Sequence, residues 1–415
     1  MNDSELDERA RQILRANDRG GYTVPTSGLY PFQWNWDSAF AAWGFSTFDS
    51  DRAWTELDTM FSGQWDDGMV PHIIFHADDD GYFPGPSVWG TDRSPRTSGI
   101  SQPPVAAILA REIHAAVGGT DRLRALYPKL LEWHRWWKDW RCPTGPACIT
   151  HPWESGRDNS PEWDPGMADI DTSGVGEYTR RDTSHVDSSM RPSKLDYDRY
   201  LAIVHFGRDC GWNQKTILEE GPFLMADPAI TFILIRANRD LAAIAAVVGE
   251  DPSEPLRWAD DLEISLPWIW SDDLSAYCAR DIRTGQFANA ISSGAALGLL
   301  AGIRNDVMER RLGEIWDAVP FGIPSNDPAA ESFDARRYWR GPTWPVVNAL
   351  IAIGLRSAGR SDLVDRLRRE TKDLIRSGGF FEYFDPTDGT PCGGDNFSWT
   401  AAIWLAWANA GTGGA

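Results

Sequence analysis

Six times along the chain a stretch of small, aliphatic and aromatic residues with almost no charge begins just after a Pro, Asp or Asn. Asn35-Trp36-Asp37 opens SAFAAWGFSTF and Pro103-Pro104 opens VAAILAREI, while Asp196 opens YDRYLAIVHF and Asp227-Pro228 opens AITFILI. Gly341-Pro342-Thr343-Trp344-Pro345 opens VVNALIAIGL, and Asn396-Phe397-Ser398-Trp399 opens TAAIWLAWA. Proline at a first helical turn costs nothing, because its missing N–H would find no partner there. A helix apolar on nearly every side has to be buried on nearly every side. Most of these stretches are followed by a charged, amphipathic partner: residues 121–140 carry Leu123, Leu126, Leu130, Trp133 and Trp137 at helical spacing, and residues 361–376 carry Leu363, Leu367 and Leu374. Residues 4–17 read as a first helix on Leu6, Ala10, Ile13 and Leu14, stopped by Gly20-Gly21. Buried helices alternating with half-exposed ones predict an all-α chain of helical hairpins closed into a ring, inner helices wrapped by outer ones.

Continuous β-rich segments are scarce. Glycine-, proline- and aromatic-rich stretches at about 62–102, 141–195 and 320–342 are too long for simple connections, so they read as structured lid or cap loops over one mouth of the ring. The segment GWNQKTILEEGP at 211–222 lacks linker composition, which favours one domain over 1–415 against a split near it. A formal charge of −20 excludes the basic surface that a nucleic-acid partner needs. No apolar run reaches membrane-spanning length, and MNDSELDERARQIL is charged where a secretory leader would be apolar. A cytoplasmic protein with no membrane partner is the expectation. The five cysteines lack zinc-site spacing and read as free thiols, although Cys142 and Cys148 stand close enough in sequence to bridge a loop. Assembly into a homo-oligomer stays open.

The chemistry concentrates in His151–Asp164, HPWESGRDNSPEWD. Four carboxylates and two tryptophans share fourteen residues, broken by Pro152, Gly156 and Pro161 so that no regular element places them in a core. Indole faces pack on sugar rings, and a carboxyl pair can carry the protons of glycosidic cleavage. A second acidic locus is Glu382 within Phe380-Phe381-Glu382-Tyr383-Phe384-Asp385-Pro386, where aromatic walls would strip water from the carboxylate. The 22 tryptophans exceed what a core needs, and some should line a cavity. No G-x-S-x-G elbow, phosphate-binding loop or H-E-x-x-H appears. His72 and His76 are spaced i, i+4, but Pro71 and Ile73-Ile74 argue against a helical metal site, and neither metal nor cofactor is expected.

With QWNWDSAF, ISQPPVAAI, HPWESGRDNSPEWD, YWRGPTWPVVNALIAIGL and FFEYFDPTDG before NFSWTAAI, the chain resembles glycoside hydrolase family 63, and within it the short bacterial enzymes acting on mannosylglycerate and glucosylglycerate. The motifs keep family order from about residue 30 to 405. The resemblance implies an (α/α)6 toroid and an inverting α-glycosidase that cleaves a small compatible-solute glycoside, 2-O-α-glucosyl- or mannosyl-D-glycerate. It implies Asp158 as general acid and Glu382 as general base. It also implies that Trp36, Asp37, Gln102, Trp153 and Trp344 hold the glycosyl ring, that Tyr30, Arg191, Tyr197 and Tyr338 grip glycerate, and that Asn396 assists. Arg157 departs from the pattern: a guanidinium facing Asp158 would lower its pKa and oppose its role as an acid, unless desolvation or a carboxylate neighbour such as Glu154 restored the proton. Three other readings remain: a trehalase-like hydrolase of a neutral disaccharide, a non-catalytic sugar-binding protein, and a lyase or epimerase using His151 or His185.

Overall fold

In the computed structural model, which describes residues 1–410, the main helices are α1 (Asp3–Asn17), α2 (Asn35–Phe45), α3 (Ser50–Met60), α4 (Ala106–Val117), α5 (Thr120–Arg141), α6 (Lys194–Asp209) and α7 (Pro228–Val248). After them come α8 (Ser253–Ser265), the broken helix α9 (Ser293–Ala296 and Gly298–Ala301), α10 (Asp306–Asp317), α11 (Pro345–Ser357), α12 (Ser361–Gly378) and α13 (Ser398–Ile403). The packing partners close a circle: α2 lies against α4, α4 against α7, α7 against α9, α9 against α11, α11 against α13, and α13 against α2. Around it, α3 backs α2, α5 backs α4, α8 backs α7, α12 backs α11, and α1 backs α13. This is the (α/α)6 toroid, and its last hairpin joins the two ends of the chain.

The sequence explains most of the ring. Every residue of α2 is buried, and so is every residue of α11 up to Leu355. α7 starts on Pro228, with the Asp227 carboxylate accepting the Ala229 N–H at 2.7 Å as an N-cap. The outer helices bury one stripe each: Leu123, Leu126, Leu130, Trp133 and Trp137 on α5, and Val364, Leu367, Leu374 and Ile375 on α12. No helix among the described residues is long and apolar enough to cross a membrane.

One member of the ring differs from the sequence expectation. Residues 194–209 form a helix outside it, packed on the short helix Pro86–Trp89 of the cap. The sixth inner position belongs to α9. Its two four-residue turns carry no long apolar period, so nothing in the sequence marks it as the equal of its neighbours. α6 is amphipathic, with charged residues at both ends, and its buried stripe of Tyr197, Tyr200, Leu201, Ile203 and Val204 packs away from the ring.

Short antiparallel strands stitch the connections at the mouth. Gln33–Trp34 pairs with Ile73–Phe75, which pairs with Arg96–Thr97, and Cys148–Ile149 pairs with Met225–Ala226 just before the acidic loop. Tyr383–Phe384 pairs with Pro391–Cys392. All five cysteines are free.

Candidate active site

A single cavity at this mouth holds about 810 Å³ of space including its opening, and both Asp158 and Glu382 line it. The acidic loop reaches it by a tight route. A 3-10 turn over Pro152–Ser155 is capped by His151, whose Nδ1 accepts the Trp153 N–H at 3.0 Å. Gly156 follows at φ 66°, and a Cβ there would sit 2.8 Å from the Trp36 indole. Only glycine meets both demands. Beyond it the backbone carbonyl of Asp158 accepts from the Tyr200 hydroxyl at 2.9 Å, and Asn159 Oδ1 accepts from the Trp339 N–H at 3.0 Å, so the acid is held by its main chain while its carboxyl faces the cavity.

Glu382 precedes the strand Tyr383–Phe384, which is pinned to the start of α11 by hydrogen bonds in both directions between Phe384 and Thr343, at 3.0 and 2.8 Å. Its carboxylate accepts the Gly394 N–H at 3.0 Å, the Tyr30 hydroxyl at 3.1 Å and Arg191 Nη1 at 3.3 Å. Gly393, at φ 74°, makes room: a Cβ would lie 2.4 Å from Glu382 Oε2.

The structure removes the objection raised by Arg157. Its guanidinium turns away from the cavity to Glu162 (2.5 Å), Asp227 (2.7 Å) and Ser292 (2.8 Å), and lies over the Trp163 ring. Glu154 is no proton donor to the acid either, since Arg141 and Thr150 hold it in the core. Of the two routes to a protonated acid, desolvation is the one present at Asp158. Burial pushes its carboxyl up to about 7 against the pull of Arg191. Burial also raises Glu382, opposed by Arg191, the Gly394 N–H and Tyr30. Asp37 is raised well above its ordinary value by burial and by the charges of Glu382 and Asp158. Of these three carboxyls Glu382 alone has a cation and two further donors on it, so it is the one built to stay ionised.

Tyr30, Trp36, Asp37, Gln102, Trp153, Arg191, Tyr197 and Tyr338 all line the same cavity. Gln102 Oε1 accepts the Trp36 N–H at 3.2 Å, and Trp153 stacks near His72 with ring centroids 6.0 Å apart. Arg191 lies 4.1 Å from the Tyr338 ring centroid. Two expected residues are elsewhere. Trp344 stacks flat behind Trp339, centroids 3.7 Å apart, and it is Trp339 that faces the cavity. Asn396 sits on the outer side, where its Oδ1 accepts from Arg9 of α1 at 2.6 Å and its backbone carbonyl from Asn17. Of the cations near α6, Lys194 pairs with Asp198 at the surface. Residues not foreseen from sequence include Trp34, His72, Tyr82, Phe83, Arg181, Asp182 and Trp399. The run DGYFPGPSVWG, aromatic within a turn-rich stretch, is the available signal for Tyr82 and Phe83. His151 and His185 do not line the cavity. Both ring nitrogens of His151 are used locally, Nε2 on the Tyr200 carbonyl, and burial lowers its pKa to about 4.

The charges predict a bell-shaped pH profile for kcat/KM. An acid is useful while protonated, so activity should fall as pH rises through about 7, where Asp158 loses its proton. The acid-side limb should follow protonation of Glu382, above its ordinary 4.5. Because the folded pKa of Asp158 lies above its ordinary 3.8, its contribution to stability is full below that value and lost as pH rises toward 7. Asp158→Asn should therefore melt higher than the parent at pH 8 and not at pH 4, by calorimetry; an equal gain at both would contradict the raised pKa.

A ring of helical hairpins with two carboxyls in one aromatic-walled cavity defines a glycoside hydrolase. The family model that matches, the mannosylglycerate hydrolase MGH1-like glycoside hydrolase domain, spans residues 30–400, and the chain belongs to that family. Mannosylglycerate hydrolase MGH1 of Selaginella moellendorffii is 43% identical in an alignment that covers 96% of this chain and 85% of the relative. Glucosylglycerate hydrolase of Mycolicibacterium hassiacum is 35% identical over 97% of this chain and 98% of its own. The crystal structure of the family 63 mannosylglycerate hydrolase from Thermus thermophilus in complex with Tris and D-glycerate superimposes with a TM-score of 0.92 at 42% identity, covering 97% of this chain and 99% of that one.

Proposed function

We propose that this chain hydrolyses a 2-O-α-hexosyl-D-glycerate, with glucose or mannose as the sugar, to free hexose and glycerate with inversion at the anomeric carbon. The observation that carries this is the pairing, in one aromatic-walled cavity, of a buried carboxyl whose pKa is pushed up to about 7 with a carboxylate held by an arginine. Asp158 gives its proton to the glycosidic oxygen as the C1–O bond breaks. Glu382 takes a proton from water as that water attacks C1 from the opposite face. The indoles of Trp36 and Trp153 supply faces for the glycosyl ring, and Asp37 and Gln102 supply acceptors and donors for its hydroxyls. Arg191, Tyr30, Tyr197 and Tyr338 make the cationic and phenolic end that suits a glycerate carboxylate. The whole chain acts as one catalytic domain, with the loops within 62–102 and 141–195 as a lid: Arg181 of one meets Asp79 of the other at 2.8 Å. Five unpaired cysteines fit a reducing, cytoplasmic setting.

The test is a panel of α-glucosyl and α-mannosyl glycerates, α-glucosylglycerol and trehalose, followed by NMR of the first anomer released. The expected result is rapid cleavage of one or both glycerates with the β-anomer appearing first. Release of the α-anomer, an unsaturated sugar, or binding without cleavage would each overturn the proposal.

A further inference from the structure

Arg191 is 4% exposed, and each of its three guanidinium nitrogens already has a protein partner. Nε donates to Asp182 at 3.2 Å, Nη1 reaches Glu382 at 3.3 Å, and Nη2 donates to the Tyr30 hydroxyl at 2.5 Å. A guanidinium is a rigid planar fork, so an anion that fixes the Nε edge also fixes where both Nη atoms point. That anion is unusually well anchored. Arg180 grips Asp182 through Nε at 3.0 Å and Nη2 at 2.6 Å, and through Nη1 it donates to the Pro192 carbonyl at 2.7 Å, next in sequence to Arg191. The chain Arg180, Asp182, Arg191, Glu382 is continuous, and it runs from the loop over the mouth to the carboxylate at the floor.

We infer that Asp182 is a positioning residue for the reaction: it holds Arg191 by Nε so that the Nη edge faces Glu382 and Tyr30. The inference rests on the reading of Glu382 as the base. Burial opposes the charge of Asp182, but Arg191 and Arg180 outweigh it and keep the carboxyl below its ordinary pKa, so Asp182 is an anion throughout the working range. The other ionisable groups around Glu382 are Asp37 on α2, Asp158 on the acidic loop, and the buried phenols of Tyr30, Tyr338 and Tyr383. None of these phenols is charged near neutrality, since burial raises all three. Arg191 is therefore the cation that sets how easily Glu382 accepts a proton.

The experiment is the pH profile of kcat/KM for Asp182→Asn, because that ratio reports the free enzyme. Two effects of the substitution have opposite signs. If Asp182 merely contributes a negative charge, removing it makes both carboxyls easier to ionise, and both limbs move to lower pH. If Asp182 positions Arg191, the guanidinium loses its hold, and both limbs move to higher pH, by about one unit on the acid side. The positioning role also expects a fall in kcat larger than the rise in KM, with partial recovery in Asp182→Glu. Should Asp182→Asn fail to fold, Arg180→Lys keeps the positive charge but loses the two-point grip on Asp182; it should move the limbs in the same upward direction by less. Limbs that stay in place or move down in every folded variant would overturn the inference. Glu382→Gln separates the two readings: if it remains active, the base assignment fails, and if it is dead while Asp182→Asn keeps its profile, only the positioning role fails.

Discussion

Glu382→Gln and Asp158→Asn are each expected to lower kcat by about 10²-fold or more while leaving the fold intact, with the larger loss on poor leaving groups for Asp158→Asn. The two substitutions remove different halves of one pair of proton transfers, so their pH profiles should differ as well. Asp158→Asn should lose the alkaline limb near pH 7, because the group that titrates there is gone. Glu382→Gln should lose the acid limb, and added azide or formate should restore part of its turnover by standing in for the missing carboxylate. Steady-state assays with circular dichroism to verify folding are sufficient. Near-normal rates in both variants would remove the acid–base pair from the mechanism.

The second large effect concerns stability. Arg157→Met is expected to destabilise the protein by about 3–5 kcal/mol, because it strands two anions in the interior. Glu162 and Asp227 are both fully buried and both rely on Arg157, and burial together with the neighbouring Glu162 already pushes Asp227 up to about 6 even with the guanidinium in place. The triple variant Arg157→Met, Glu162→Gln, Asp227→Asn should recover much of the loss, since a neutral set no longer carries uncompensated charge. Equilibrium unfolding in urea measures both. A single substitution as stable as the parent would mean that water reaches this network. The same variant should also disturb the acid, since the lost guanidinium lies over the Trp163 ring, and the Trp163 indole N–H holds the carbonyl of residue 157, next to Asp158, at 2.7 Å.

How far the sequence disclosed the molecule depends on the range of the interaction that decides each feature. Helices with a proline or capped start and a sustained apolar run, such as α7 and α11, announce themselves because the information is local. α9 does not, because it is short, broken at Leu297 and glycine-bearing; its place in the ring is decided by the neighbours that enclose it. The apolar stripe of α6 is a sound sign of burial but does not say against what. At the site, the carboxylates of the acidic loop and of Glu382 stand out because their local contexts are odd for a core. Asp182 is invisible for the converse reason: RRD in a polar loop looks like surface, and only the folded chain brings it to Arg191. The choice between Trp339 and Trp344 is not written in local pattern. Tyr338 adopts φ 40°, a left-handed value rare for a bulky residue, directly before Trp339, which lines the cavity with Trp344 stacked behind it.

Gly156 and Gly393 press bare main chain against an indole and against a carboxylate, and no methyl group fits at either point. These two points are therefore immune to gradual tailoring: any larger residue there dislodges Trp36 or Glu382. Diversification of sugar or aglycone preference in proteins built this way has to enter from the rim, through the loops bearing Phe83 and Arg181, whose side chains line the cavity without holding either reacting group.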